Sequence, residues 1–259
     1  MNFTPIARPF LERRVKQISK YAVNAEHIQR DVLKRLVSTA SATEWGIKHS
    51  YSCILNYEQF AKKVAVQDYE SLKGYIDRMR QGEKDVLWKG RCKWFAKSSG
   101  TTNDKSKCIP VTPQGLQRIH YKGGFDVVAQ YLANNPSSRL FSGKALILGG
   151  SHAPNYNLPG TLVGDLSAIL IENCSPAVNL FRVPRKEVAL LSDFEEKMDR
   201  IARLTSDMKI TNLSGVPSWM LAVLKHMLDI TGKTTVDELW PDLEVFFHGG
   251  VAFSPYREQ

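Results

Sequence analysis

The stretch that decides the reading is Trp94-Phe95-Ala96-Lys97-Ser98-Ser99-Gly100-Thr101-Thr102-Asn103-Asp104-Lys105-Ser106-Lys107-Cys108-Ile109-Pro110-Val111. Two short, mostly apolar runs, residues 94–97 and 108–111, flank a segment of small, hydroxyl-bearing and cationic residues. The runs predict two strands, and the segment between them predicts a polar loop. Ser98, Ser99, Thr101 and Thr102 surround Gly100, which can take positive φ and turn successive N–H groups into one concavity. Lys105 and Lys107 supply positive charge at its rim. Such a loop suits an oxyanion. Its residue types also favour ordinary turns, so composition alone leaves a plain polar hairpin open. A strand on either side distinguishes it from the strand–loop–helix of a P-loop.

Working outward, the residues leading into the loop are basic. Lys84, Lys89, Arg91, Lys93, Lys97, Lys105 and Lys107 face only Asp85 and Asp104 across residues 84–107. Lys89, Arg91, Lys93 and Lys97 alternate with Trp88, Cys92, Trp94 and Ala96, the period of a strand with one polar face. Residues 1–110 hold 21 Lys+Arg against 11 Asp+Glu, whereas residues 111–259 hold 14 against 15. The first part therefore attracts anions, nucleotide phosphates or a nucleic-acid backbone, although a solvated Lys-rich edge reads the same way.

The flanks set the fold class. Helices are expected over residues 10–23, 30–37 and 68–79, the last stopped by Gly82. Thr112-Pro113 opens a helix towards Leu132, with Thr112 as N-cap. A strand over residues 144–148 ends in Gly149-Gly150, and residues 166–171 fit either a strand or a helix. Ser192-Asp193-Phe194-Glu195 reads as a capping box, starting a helix with Phe194, Met198, Ile201 and Ala202 inward. A strand over residues 210–213, a helix from Pro217 to Gly232 and a strand over residues 243–247 complete the alternation. The expectation is one α/β domain with a mixed sheet, a helical preface over residues 1–87 and an α/β part over residues 88–259.

Composition excludes several classes. A hydrophobic fraction of 43% and a charged fraction of 24% describe a globular chain. No stretch approaches the ~18 apolar residues of a membrane helix, so no membrane partner is expected. Cys53, Cys92, Cys108 and Cys174 form no C-x-x-C pair and have no clustered His, so neither a metal site nor a disulfide framework is read. The expectation is a reduced, cytoplasmic protein.

The loop and its surroundings resemble a known family. Ser98-Ser99-Gly100-Thr101-Thr102 with Lys107 is similar to the first signature of the adenylate-forming superfamily. The runs Tyr69–Met79, Gly82-Glu83, Phe95–Thr102, Lys107–Thr112, Gly164–Ile169 and Gly215–Trp219 resemble the auxin-responsive (Gretchen Hagen) acyl-acid amido synthetases, and a bacterial member is expected. The resemblance runs from about Phe10 to Gln259. It implies an incomplete N-terminal domain of an adenylate-forming enzyme, a ligase that uses ATP and Mg²⁺. A carboxylic acid would become an acyl-adenylate, and an amino acid amine would then displace AMP; an acyl-CoA ligase of the same superfamily, or a catalytically inactive nucleotide- or nucleic-acid-binding fragment, is the alternative. It further implies that Ser98, Ser99, Gly100, Thr101, Thr102 and Lys107 hold the phosphates. His248, Gly249 and Gly250 would lie near the adenine, and Val216, Pro217 and Trp219 would line the acyl pocket. The family's second and third motifs, Tyr-x-Ser-Ser-Glu and Tyr-x-x-Gly-Asp, do not occur, so a truncated chain, inactive alone, is expected.

Other motifs fall away. Gly232-Lys233-Thr234 lacks the P-loop's first glycine, because Met227 stands there. Gly149-Gly150-Ser151-His152 imitates a nucleophile elbow, but Pro154 and Pro159 forbid the helix an elbow must enter. Trp88, Trp94 and Phe95 among cations could stack bases, yet the near-neutral second part argues against nucleic acid.

Overall fold

A computed structural model describes residues 1–98 and 106–257. The principal helices are α1 (Thr4–Ala40), α2 (Tyr69–Arg80), α3 (Lys122–Asn134), α4 (Leu166–Asn173), α5 (Phe194–Thr205) and α6 (Pro217–Thr231). The strands are β1 (Trp94–Lys97), β2 (Cys108–Val111), β3 (Lys144–Ile147), β4 (Leu162–Gly164), β5 (Arg182–Val183), β6 (Ile210–Gly215) and β7 (Val245–His248). The chain divides into two compact units. One comprises residues 1–12, 127–152 and 165–259, and the other residues 13–126 and 153–164.

The unit containing residues 13–126 is built on a three-stranded sheet of order β2-β1-β4. β1 pairs antiparallel with β2, Lys97 opposite Cys108, and parallel with β4. The expected strand pair around the loop is present. The expected alternation upstream is not: residues 88–93 form no strand, and Phe95 is fully buried beside the buried Trp94 and Ala96. β1 is central in its sheet, so its residues on both faces lose water and the polar-face period ends there. Ile76 and Met79 of α2 close the core over Phe95, Cys92, Cys108 and Val163. Thr112 accepts from the Gly115 amide, as the sequence predicts, and Asp68, read from sequence only as the start of a helix, caps α2 by accepting from the Ser71 amide. The helix expected from Pro113 to Leu132 contains a wider π turn, Leu116–Tyr121. Residues 10–23 and 30–37 fall within one helical run, broken only by the non-helical backbone of Asn24.

The other unit is built on a parallel sheet of order β5-β3-β6-β7. Leu146 and Leu213 face Ile201 and Ala202 of α5 and Met220, Val223 and Met227 of α6 in one core. Trp240 is buried there and its indole N–H donates to the Thr205 carbonyl. On the opposite face, the Tyr131 ring of α3 meets Phe247 edge-on at 5.6 Å. Residues 166–171, open between strand and helix in the sequence, belong to α4. The capping residue of α5 is Asp193, whose carboxylate accepts from the Glu196 amide. Phe194 points outward, 37% exposed and near Trp219, whereas Lys197 takes an inward position. The spacing places Ile201 and Ala202 of α5 correctly in the core, whereas Phe194, expected inward, lies exposed at the first position of the helix.

Candidate functional site

Each unit presents one polar feature at the ends of its strands. In the β1–β2 hairpin, the last ladder pair, Lys97 and Cys108, marks the mouth of the loop. The Ser98 amide donates to the Lys107 carbonyl at 2.9 Å, and the Lys107 amide donates to Ser98 Oγ at 3.3 Å. The two ends of the predicted phosphate loop are thus tied together. Ser99, Gly100, Thr101 and Thr102 lie outside the described residues, as do Asp104 and Lys105. Lys107 Nζ lies 5.4 Å from the centroid of the Tyr69 ring, whose hydroxyl accepts from the Cys108 amide. Lys97 Nζ lies 4.3 Å from the centroid of the Tyr156 ring. Asp68 stands nearby with its carboxyl held below its usual pKa, first by the Ser71 amide and, less, by Lys107.

In the parallel sheet, the carboxyl ends of β3, β6 and β7 lead into Gly149-Gly150, Val216-Pro217 and Gly249-Gly250. That edge is where open α/β sheets bind ligands. The turn after β3 is held from every side. Lys197 Nζ donates to the carbonyls of Gly149 and Gly150 at 3.1 and 3.2 Å. The Gly150 amide donates to Ser167 Oγ, and the Ser151 amide to Asp165 Oδ2. A Cβ on Gly150 would lie 2.0 Å from that same oxygen, so only glycine fits. Lys197 is buried, and desolvation pulls its pKa below the ordinary lysine value, partly opposed by the Asp165 carboxylate. Beyond the turn, His152 Nε2 lies 3.6 Å from Glu172 Oε2, and Lys186 also bonds Glu172.

The remaining sequence-predicted residues are placed on this unit. Val216 occupies the N-cap position of α6, Pro217 is its buried first residue, and Trp219 is 37% exposed. Gly250 takes φ +88°, and a Cβ there would approach Val216 Cγ2 to 3.3 Å, so the turns after β6 and β7 meet. The exposed His248 stacks on Phe253 at 4.5 Å. Sequence reasoning missed Lys197 and the Asp165–Ser167 clamp, and gave Lys97 no role in the loop. The lysines sit in ordinary charged contexts, and their partners are distant in the chain. Among the described residues no group of three His, Cys, Asp or Glu side chains could hold a metal. Nor is any helix among them long and apolar enough to cross a membrane.

The profile of the GH3 family N-terminal domain matches residues 14–259. The chain belongs to the GH3 family. The resemblance drawn from the loop and its flanks is borne out at that level. Among curated GH3 proteins, an Arabidopsis thaliana indole-3-acetic acid-amido synthetase, GH3.15, is 33% identical over 100 residues, 38% of this chain and 17% of that protein. A 4-substituted benzoates-glutamate ligase, GH3.12, from the same plant is 30% identical over 107 residues, 41% and 18% of the two chains. The structure of GH3.15 acyl acid amido synthetase superposes with TM-score 0.66 at 21% identity, covering 84% of this chain and 39% of that one. A structure of the same protein in complex with 2,4-DB gives TM-score 0.67, again at 21% identity, over 83% and 38%. The mixed α/β architecture is thus that of GH3 structures, and the chain spans about two fifths of their length.

Proposed function

We propose that the chain is the N-terminal part of an ATP-dependent acyl-acid amido synthetase. The observation that carries this reading is the Ser98–Lys107 segment, closed at its base by the Ser98–Lys107 backbone bonds, in a chain of the GH3 family. A carboxylate oxygen would attack the α-phosphate of ATP, forming an acyl-adenylate and releasing pyrophosphate. Negative charge grows on the phosphorus and on the leaving group, and fixed donors aimed at that charge lower the barrier. Ser98, Ser99, Thr101, Thr102, the Gly100 backbone and Lys107 are assigned that task. An amino acid amine would then attack the acyl carbonyl carbon, AMP leaving with the electron pair and the nitrogen losing a proton. The turns carrying Val216, Pro217 and Trp219 and His248, Gly249 and Gly250 are assigned to the acyl group and the adenine, consistent with their place at the carboxyl edge of the parallel sheet. With no metal-binding cluster among the described residues, Mg²⁺ is placed on the phosphates of ATP, and no step is assigned to a protein-held ion.

The 259 residues are proposed to bind ATP without completing turnover, since the matched GH3 structures are longer. Calorimetry with ATP and Mg²⁺ tests the loop: binding is expected, with loss on Lys107→Ala and on Thr101→Ala. Carboxylate-dependent exchange of labelled pyrophosphate into ATP, in a chain extended to the length of the GH3 relatives, tests the chemistry. No exchange across a panel of aryl and alkyl acids would overturn it.

A further inference from the structure

We propose that Arg182 holds a small monovalent anion of the chloride class inside the parallel-sheet unit. No residue assigned to ATP or to the acyl group takes part. Arg182 opens β5 and lies opposite Ala145 of β3, which in turn lies opposite Asn212 of β6. The next row, Val183, Leu146 and Leu213, belongs to the core formed with α5 and α6, so Arg182 lies on the other face of the sheet. It is 3% exposed. Its Nη2 donates to Asn179 Oδ1 at 2.7 Å, whereas Nε and Nη1 are sealed from solvent and have no hydrogen-bond partner among the described residues. The one bond that Arg182 makes is therefore to a neutral group.

A buried guanidinium in this state has two deficits: spare N–H groups without acceptors, and a charge without a counter-charge. A buried lysine can relieve the second by shedding its proton, and burial does lower the pKa of Lys197. Arginine keeps its proton in proteins, so that route is closed. The row beside Arg182 is neutral. Ala145 offers a methyl group, and Asn212 gives its side-chain N–H to Thr211 Oγ1 at 3.2 Å. Lys144, just before Ala145, adds a second cation, and it too donates to a neutral acceptor, the Leu180 carbonyl, at 2.6 Å. After β5, the Glu172 carboxylate is taken by Lys186 at 3.2 Å. A water molecule would accept from the spare N–H groups yet leave the charge unmet, whereas an anion answers both deficits. The sealed position of Nε and Nη1 limits that anion to a compact ion and excludes a nucleotide or phosphate ester.

Crystals soaked in sodium bromide, with anomalous scattering recorded at the bromine edge, locate the ion directly. A bromine peak in contact with Arg182 Nε or Nη1 is expected. Urea unfolding in sodium bromide and in sodium gluconate, whose anion is too large for the site, measures the same ion in solution at equal ionic strength. Passing from gluconate to bromide is expected to raise the midpoint of the parent relative to that of Arg182→Met, whose shift reports the general salt effect alone. No bromine peak at Arg182, or a water molecule refined in its place, overturns the proposal. A peak accompanied by equal salt shifts in the parent and Arg182→Met marks binding at crystal concentration only and overturns it as well. Arg182→Gln, which keeps N–H donors without the charge, takes over the solution measurement should Arg182→Met fail to fold, and the bromine peak decides alone should both fail.

Discussion

The turn after β3 and the mouth of the β1–β2 hairpin solve opposite problems. At the turn, both carbonyls and the next two amides are bonded to side chains brought from α4, α5 and the residue preceding α4. Its lysine is buried and spends its donors inside the protein. At the hairpin mouth the described backbone groups bond between Ser98 and Lys107 and from Cys108 to the Tyr69 hydroxyl, while Lys97 and Lys107 lie on aromatic rings with no ion pair to a carboxylate among the described residues. The two units differ in the same sense, residues 13–126 and 153–164 carrying 22 Lys+Arg against 11 Asp+Glu. A lysine that satisfies buried carbonyls contributes to stability, whereas a lysine left unpaired on a ring is free to meet an external anion. Sequence alone does not distinguish the two.

Substitutions can sharpen or break that contrast. Gly150→Ala is expected to have the largest effect, about 3 kcal/mol of lost stability in denaturant unfolding. Its Cβ would collide with Asp165 Oδ2, Cγ and Cβ together, so the whole carboxylate must leave the Ser151 amide. Lys197→Met is next, at about 2 kcal/mol, because two buried carbonyls lose their donor while the cost of burying a charge is relieved. Its pH dependence gives a sharper measure. The folded pKa of Lys197 lies below the ordinary 10.5, so between the two values the unfolded chain binds more protons. Stability from this group therefore rises with pH up to about 10.5, and a pH series of unfolding curves should lose that rise in Lys197→Met. Thr112→Ala, which removes the cap next to β2, is expected to cost about 1 kcal/mol. Tyr156→Leu at the hairpin mouth should change stability by no more than about 0.5 kcal/mol. A loss there as large as that of Lys197→Met would erase the distinction between the two regions.

Much of the fold was legible because the signals were local. The strands flanking the loop were legible as short apolar runs, and Asp68, Thr112, Pro217 and Gly232 mark helix ends through their own side chains or backbone. What failed depended on distant partners. Phe95 falls at a polar position of the expected alternation, and its burial needs α2 packed over it and β4, some 67 residues later, paired along the other edge of β1. Lys197 reads as a surface residue of a charged helix, since its partners Gly149 and Gly150 lie 48 and 47 residues earlier. Asp165 enters the sequence reading within the Gly164–Ile169 run of the family resemblance, and its bond to the Ser151 amide needs the fold to be seen. The candidate site was legible as residue types around one loop and two glycine turns, but the side chains that hold those turns were not.

The first unit takes its opening dozen residues from one end of the chain and their partners from much further along. Thr4 Oγ1 accepts from the Phe141 amide across 137 residues, and Arg8 donates to the Leu132 and Pro136 carbonyls. On a ribosome adding about 5–20 residues per second, those partners emerge on the order of ten seconds after the segment that needs them. Through that interval Thr4 and Leu11, both buried in the folded unit, leave the exit tunnel without their later partners, and closing so long a loop is slow in its own right. Nascent chains arrested before residue 141 should therefore keep this leading segment open to proteases and chaperones, and those released beyond it should not.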